Sequence, residues 1–437
     1  AEFGQSAFRF VRIENCDPEK TLDLRELSLV ALERDLEYRG RFHCDDPLLD
    51  GIWSAAGRTI HLCLQEYLWD GAKRDQLVWM GDMHPELLAA AAFFGREQTV
   101  ERSMDYMRDE TPLPGFMNNM PGYSLSWLLC QYDWYWLHGD SGYLRSQQPY
   151  LAALLELLCR KVETNDVEFL DRERFIDWAH FSRPERLHGG FQALLVRALS
   201  AGRQLIRVLG EEALDLRLAA VLNLLRGRPV VPGDAKSVAA MRVLAGLEEA
   251  KAANAAILAR DPLSGVTPFH GLYLLQARAM AGDIAGCFDL MRGYWGAMLR
   301  LGSTTFWEHF DIGWLENAGR IDELPEPGRH DVHREYGEGC FTGLRHSLCH
   351  GWGAGVAFFM ARTLLGVRVL TPGARKVSIA PELYDLTEVS GAFPTIHGDI
   401  VIRHRRLHDG AIATEVAAPP GVEVTVAAAA DSLPPTR

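Results

Sequence analysis

The feature that most constrains this chain is a nearly unbroken succession of helical patterns between Asp46 and Val367. Segments such as PLLDGIWSAAGRTIHLCLQEY, HPELLAAAAFFG, YSLSWLLCQYDWYWLHG, HGGFQALLVRALSAGRQLIRVLG and LRHSLCHGWGAGVAFFMARTLLGV repeat apolar residues at helical spacing. Most end near Gly, Asp or Asn. Roughly a dozen such helices are joined by short links, with hardly a strand between them. Several are apolar on more than one side, as expected of helices that pack on neighbours in both directions. Helix number and length favour a closed double ring over an open bundle. Periodicity does not distinguish the two, because closure depends on contacts rather than on local pattern.

The ends of the chain read differently. AFRFVRIEN from Ala7 and LSLVALERDL from Leu27 alternate like strands, and two strands do not make a stable domain alone. After Val367, VRVLTPGARKVSIAPEL, GDIVIRHRRL, AIATEVA and VEVTVAAA are short alternating strands broken by Pro and Gly, a small β-sandwich pattern. The expected division is an N-terminal β segment over 1–45, a helical domain over 46–366 and a β-sandwich over 367–437. The final DSLPPTR is expected to fray.

With 437 residues the chain is too long for one ordinary core. A net charge of −13 argues against nucleic acid as the main partner, since phosphate contacts need a basic surface. No apolar run reaches the roughly 18 residues of a membrane span. The eight cysteines are scattered and form no CxxC pair, so a zinc site or redox dithiol is not expected.

The stretch that carries chemistry is Glu66–Glu86, EYLWDGAKRDQLVWMGDMHPE. It holds Asp70, Asp75 and Asp82, with Arg74 beside Asp75 and the indoles of Trp69 and Trp79 among them. Gly71 and Gly81 make it a loop between helices. Carboxylates bind hydroxyls and move protons, and indole faces cover the apolar faces of a sugar ring. The competing reading is a solvated acidic turn. Trp69, Leu77, Val78, Trp79 and Met80 weigh against it, because leaving them in water is costly.

Other polar and aromatic stretches lie at helix ends. In STTFWEHFDIGW, from Ser303, Glu308 follows Thr304 and Thr305; on residues alone a capped helix start and a catalytic carboxylate are evenly balanced. FIDWAHF holds Asp177, Trp178 and His180, and QYDWYWLHG holds Trp134. SLCHGWGAG holds His350, and its glycines suit close helix packing, with no preceding strand for a dinucleotide site. His61 and His188 read as structural. The polar loop from Glu316 is a candidate lid or a plain surface loop.

DGAKRD-x3-W-x-GD resembles the signature loop of the α-L-rhamnosidases of glycoside hydrolase family 78. The resemblance implies a mainly α fold, an (α/α)6 barrel with a C-terminal β-sandwich, preceded in the family by β-domains. It implies a general acid at Asp75, where Glu is frequent in the family. The TT-x-WE match implies a general base at Glu308. It further implies sugar contacts from Asp70, Arg74, Trp79, Asp82, Trp178 and His350. Trp134 is expected to face the same site. The implied reaction is inverting release of a terminal α-L-rhamnose from a glycoside or oligosaccharide, with no cofactor and no metal. Another enzyme on the same barrel, glucoamylase-like or a polysaccharide lyase, is one alternative. A catalytically inactive carbohydrate-binding protein is the other.

Overall fold

The structure is a computed structural model that describes residues 7–165, 174–178, 184–229, 233–335 and 346–427. His180, the end of the polar loop at 336–340 and the C-terminal tail lie outside these residues.

Helix α1 (Pro47–Cys63) begins where Asp46 accepts a hydrogen bond from the Leu48 amide at 2.9 Å, with Pro47 in the first turn. It stops before LQEY, so the expected helix is one turn too long. Helix α2 (Met83–Phe94) is buried along its whole length and ends at Gly95, whose φ of 76° suits glycine. An all-round apolar helix must be packed on every side, and α2 is part of an inner ring. The ring runs from α2 to α4 (Pro121–His138), α6 (Pro184–Leu209), α8 (Lys236–Leu244), α10 (Pro268–Met280) and α14 (Val356–Thr363). Each packs on the next, and α14 packs back on α2, so the ring closes.

The outer layer is α1, α3 (Gln98–Asp109), α5 (Ser141–Asn165), α7 (Glu212–Arg226), α9 (Ala250–Ala253) and α11 (Ile284–Leu290) with α12 (Gly296–Arg300). Single π turns, Asn254–Leu258 and Met291–Trp295, extend α9 and link α11 to α12. A short helix, α13 (Val332–Glu335), interrupts the polar loop. Outer and inner helices alternate along the chain, so each outer-to-inner link arrives at an inner-helix N-terminus. These links gather on one face of the ring.

The C-terminal region forms two sheets. One has the order β1–β4–β5–β6 and the other β2–β3–β7. Strands β2 (Val367–Val369), β3 (Lys376–Ile379), β5 (Gly398–Arg406), β6 (Ile412–Ala417) and β7 (Glu423–Val426) fall within the alternating stretches. Strand β4 (Glu388–Thr395) was not expected, because Gly391 and Pro394 interrupt its pattern. Its other edge is taken by β1 (Arg41–Cys44), antiparallel, with Arg41 opposite Ala392 and Cys44 opposite Val389. The N-terminal segment therefore feeds its last residues into the C-terminal sheet.

The two expected N-terminal strands do not form among residues 7–40. Their apolar residues, such as Phe8, Val11, Leu29 and Val30, are exposed. Alternation specifies a face but supplies no partner, and no neighbouring strand lies along this stretch.

Candidate active site

Three loops build the site by pairing their backbones. The segment around Ser347–His350 lies between the 70–72 and 305–309 segments. On one side Gly71 bridges His350, the Ala72 amide donates to the Cys349 carbonyl at 3.2 Å, and the Gly351 amide donates to the Asp70 carbonyl at 2.7 Å. On the other, the Glu308 amide donates to the Ser347 carbonyl and the His350 amide to the Phe306 carbonyl, both at 2.9 Å. Gly71 is needed for this approach: a Cβ there would lie 3.0 Å from Ser347 Oγ and 3.1 Å from His350 Nδ1. The pairing also corrects two expectations. Neither TTFWEHF nor SLCHG is helical, because their backbone groups bond laterally instead of to their own turns.

Asp70 is buried at 1% exposure. It closes its own loop, its Oδ1 accepting from the Leu77 amide at 3.0 Å and its amide donating to the Leu77 carbonyl at 3.0 Å. Burial pushes its carboxyl up to about 7, with the Asp82 charge adding and His350 opposing. Asp75 and Gln76 hold left-handed backbone, φ 58° and 54°, so the chain reverses sharply at the candidate acid. Asp75 keeps its side chain 34% exposed, whereas Glu308 is buried. Arg74 bridges them. Its Nη1 lies 3.0 Å from Asp75 Oδ2, and its Nη2 pairs with the Glu308 carboxylate. Glu308 is fixed further by its carbonyl, which accepts from Trp352 Nε1 at 3.0 Å.

Beneath this pair lies a second polar layer at the start of α2. His350 Nε2 is 3.1 Å from Asp82 Oδ2, and Tyr123 donates to Asp82 Oδ1 at 3.3 Å. Burial pulls the His350 imidazole down, but its bond to Asp82 and the charges of Glu308 and Asp70 outweigh it, so the ring holds its proton above the ordinary range. Glu86, one turn into α2, is buried at 1% exposure, and its Oε1 has no hydrogen-bond partner. Burial, with the charges of Asp82 and Asp70, raises its carboxyl well above the carboxylate range. A Cβ on Gly351 would lie 2.3 Å from that oxygen, so glycine alone leaves room for it.

One wall is aromatic. Trp79 meets Tyr123 edge-on at 6.0 Å, Tyr123 meets Phe175 at 6.2 Å, and Phe175 meets Trp178 at 5.1 Å. Trp79 and Trp178 are both partly exposed at the ends of this relay. Asp177 is committed elsewhere, accepting from Thr267 Oγ1 at 2.5 Å and lying 3.0 Å from His270 Nδ1.

Of the nine expected site residues, eight converge here: Asp70, Arg74, Asp75, Trp79, Asp82, Trp178, Glu308 and His350. Trp134 does not. It lies three turns along α4 from Tyr123, about 16 Å away. It is buried, with Nε1 donating to Glu101 Oε1 at 2.9 Å and its ring against His138. As a cluster aromatic on an inner helix it serves the packing between α3 and α4. Sequence reasoning missed Tyr123, which follows Pro121–Gly122 with no local signal of function. It also passed over Glu86, although that residue closes the stretch already singled out. Among the described residues no group of His, Cys, Asp or Glu is placed to hold a metal ion, and no helix is long and apolar enough to cross a membrane.

Comparison with known proteins agrees with this architecture. The model of the bacterial α-L-rhamnosidase six-hairpin glycosidase domain matches residues 37–214, and that of the bacterial α-L-rhamnosidase C-terminal domain matches residues 366–432. No curated protein matches the chain. Among solved structures, a family 78 rhamnosidase of Bacillus sp. GL1 superposes with a TM-score of 0.74 at 23% identity, over 92% of this chain and 44% of its own. The Streptomyces avermitilis α-L-rhamnosidase complexed with L-rhamnose gives 0.74 at 18%, over 90% of this chain and 39% of its own. A Klebsiella oxytoca rhamnosidase with rhamnose bound gives 0.58 at 22%, over 72% and 64%. The chain thus spans less than half the length of the Bacillus and Streptomyces enzymes, and at these identities the likeness is one of fold. With both domain models matched in order along a closed helical ring and its β-sandwich, the chain belongs to the bacterial α-L-rhamnosidase family, of six-hairpin glycosidase fold.

Proposed function

We propose that this chain hydrolyses a terminal α-L-rhamnoside by a single, inverting displacement. Asp75 is the general acid, giving its proton to the leaving oxygen from the open side of the loop. Glu308 is the general base, drawing a proton from a water on the opposite face of the sugar. Such a pair must stand roughly 6.5–9.5 Å apart to admit the water. Arg74 holds both carboxyl groups in register, and a guanidinium suits this because its donors are planar and fixed. Asp70, Asp82 and His350 bind the ring hydroxyls: the carboxylates accept, and the protonated imidazole donates. Trp79 and Trp178 cover the apolar face and the C6 methyl.

The observation that carries this reading is the Asp75–Arg74–Glu308 bridge above a buried Asp70–Asp82–His350 floor. Rhamnose bound to the Streptomyces and Klebsiella relatives supports the sugar. The test is release of chromophore from an aryl α-L-rhamnoside by the chain and by Glu308→Gln. Turnover by the parent and its loss in the variant are expected. Equal turnover by both, or cleavage only of other aryl glycosides, overturns the assignment.

A further inference from the structure

The loop that carries Asp75 also forms one wall of a second hollow. This hollow has a volume of about 490 Å³, within the ordinary range for a small-molecule site. Its walls include Leu77, Val78, Tyr106, Glu110, Phe116 and Asn119. It lies between the α1–α2 and α3–α4 links, hence on the face where the candidate active site opens. The shared wall is fixed in place. Asn118 accepts from the Met80 amide at 2.9 Å and donates to the Val78 carbonyl at 3.1 Å.

Chemistry fixes which part of a substrate would reach it. A general acid must touch the leaving oxygen, so what that oxygen carries lies along the acid's outer edge. The Asp75 side chain is 34% exposed, and two residues on, Leu77 lines the hollow with a 54% exposed side chain. Tyr106 presents a ring that is 41% exposed, and the exposed Glu110 carboxylate makes no hydrogen bond or ion pair among the described residues. Large apolar groups left open beside an unused acceptor are the elements of sugar recognition: a ring to stack on and an oxygen for hydroxyls.

We propose that this hollow is the subsite for the leaving group, and that its occupant is a second sugar ring. The proposal rests on the glycosidase reading above. Tyr106 stacks on the ring and Glu110 accepts from its hydroxyls, so together they set which rhamnosides are cleaved rather than whether cleavage occurs.

The test compares a rhamnosyl-glucose disaccharide with α-L-rhamnosyl fluoride, whose leaving group is too small to occupy the hollow. Tyr106→Ala and Glu110→Gln, both at exposed positions, should each lower kcat/KM on the disaccharide about tenfold and leave the fluoride within about twofold. Equal loss on both substrates, or no loss on either, overturns the subsite. Selective loss on an aryl rhamnoside with none on the disaccharide overturns the sugar occupant in favour of an aromatic one. Free glucose supplies a readout independent of turnover. Its saturation-transfer NMR signal should appear with the parent and vanish with Tyr106→Ala. If the parent cleaves nothing but this signal behaves as stated, the reaction fails and the subsite stands; absence of the signal overturns the subsite.

Discussion

Asp75 and Glu308 are joined through one guanidinium: Arg74 Nη1 lies 3.0 Å from Asp75 Oδ2 while Nη2 pairs with Glu308. The two carboxyl groups come from loops 233 positions apart in sequence, so this contact sets their separation directly. A lysine keeps the charge but has no planar fork, and it can serve one carboxylate at a time. Arg74→Lys should therefore cost one charge-assisted hydrogen bond, about 1.5–3 kcal/mol, or roughly 10–100-fold in kcat/KM. The loss should appear mainly in kcat, with melting temperature changed little. Unchanged kcat would mean that the bridge does not position the pair.

Asp75 is expected to matter in proportion to how badly the leaving group needs a proton. Asp75→Asn should nearly abolish hydrolysis of a disaccharide but spare much of the turnover of an activated aryl or fluoride substrate, which departs unprotonated. Equal loss on all three would argue that Asp75 shapes the loop and donates nothing. The left-handed backbone at Asp75 and Gln76 makes Asn the right probe, since Asn tolerates that conformation and Ala does not.

Glu86 and Asp70 give the protein a predicted dependence on pH. Both carboxyl groups are raised by burial, Asp70 to about 7. An acid whose pKa is higher in the folded state binds more protons there, so folding stability falls as pH rises above the unfolded value of about 4. For Asp70 the fall ends near pH 7 and amounts to at most on the order of 4 kcal/mol. For Glu86 it continues to higher pH. Neither Asn nor Gln titrates. Glu86→Gln should thus melt higher than the parent, by a margin absent near pH 4 and growing into the alkaline range. Asp70→Asn should gain only between about pH 4 and 7 and then hold a constant margin. A Glu86→Gln protein less stable than the parent at pH 8 would mean that the buried carboxyl is ionised and paired.

Much of this was legible before the structure. The helical period of α1, α2 and α4 and the Gly95 stop depend on neighbours in sequence, which a pattern records. The loop from Asp70 to Asp82 was legible because its carboxylates and indoles are crowded into one stretch. What was not legible depends on contacts across the chain. The closing contact of α14 on α2 is invisible to periodicity. Thr305–Glu308 carries a capping pattern, yet it is drawn into extended pairing with Ser347–His350. Strand β1 is specified by β4, some 350 residues away. Trp134 lies within α4 and Trp178 in the link before α6, and only contacts across the chain separate the core indole from the one beside the site. Glu86 was hidden for a different reason. A glutamate in the first turn of a helix is ordinary, and only its burial behind Gly351 makes it unusual.

The last prediction concerns stereochemistry. If Glu308 activates water while Asp75 protonates the leaving group, the two act on opposite faces and no covalent sugar–enzyme intermediate forms. An α-linked substrate then yields β-L-rhamnose first, which mutarotates afterwards. Proton NMR during early turnover distinguishes the two anomers. Glu308→Gln should lose activity even on rhamnosyl fluoride, because help to the water is needed whatever departs. Initial release of the α-anomer, or a rhamnosyl adduct on Glu308 by mass spectrometry, would make Glu308 a nucleophile. The Arg74 bridge would then hold a double-displacement pair, whose carboxyl groups stand only about 5–5.5 Å apart.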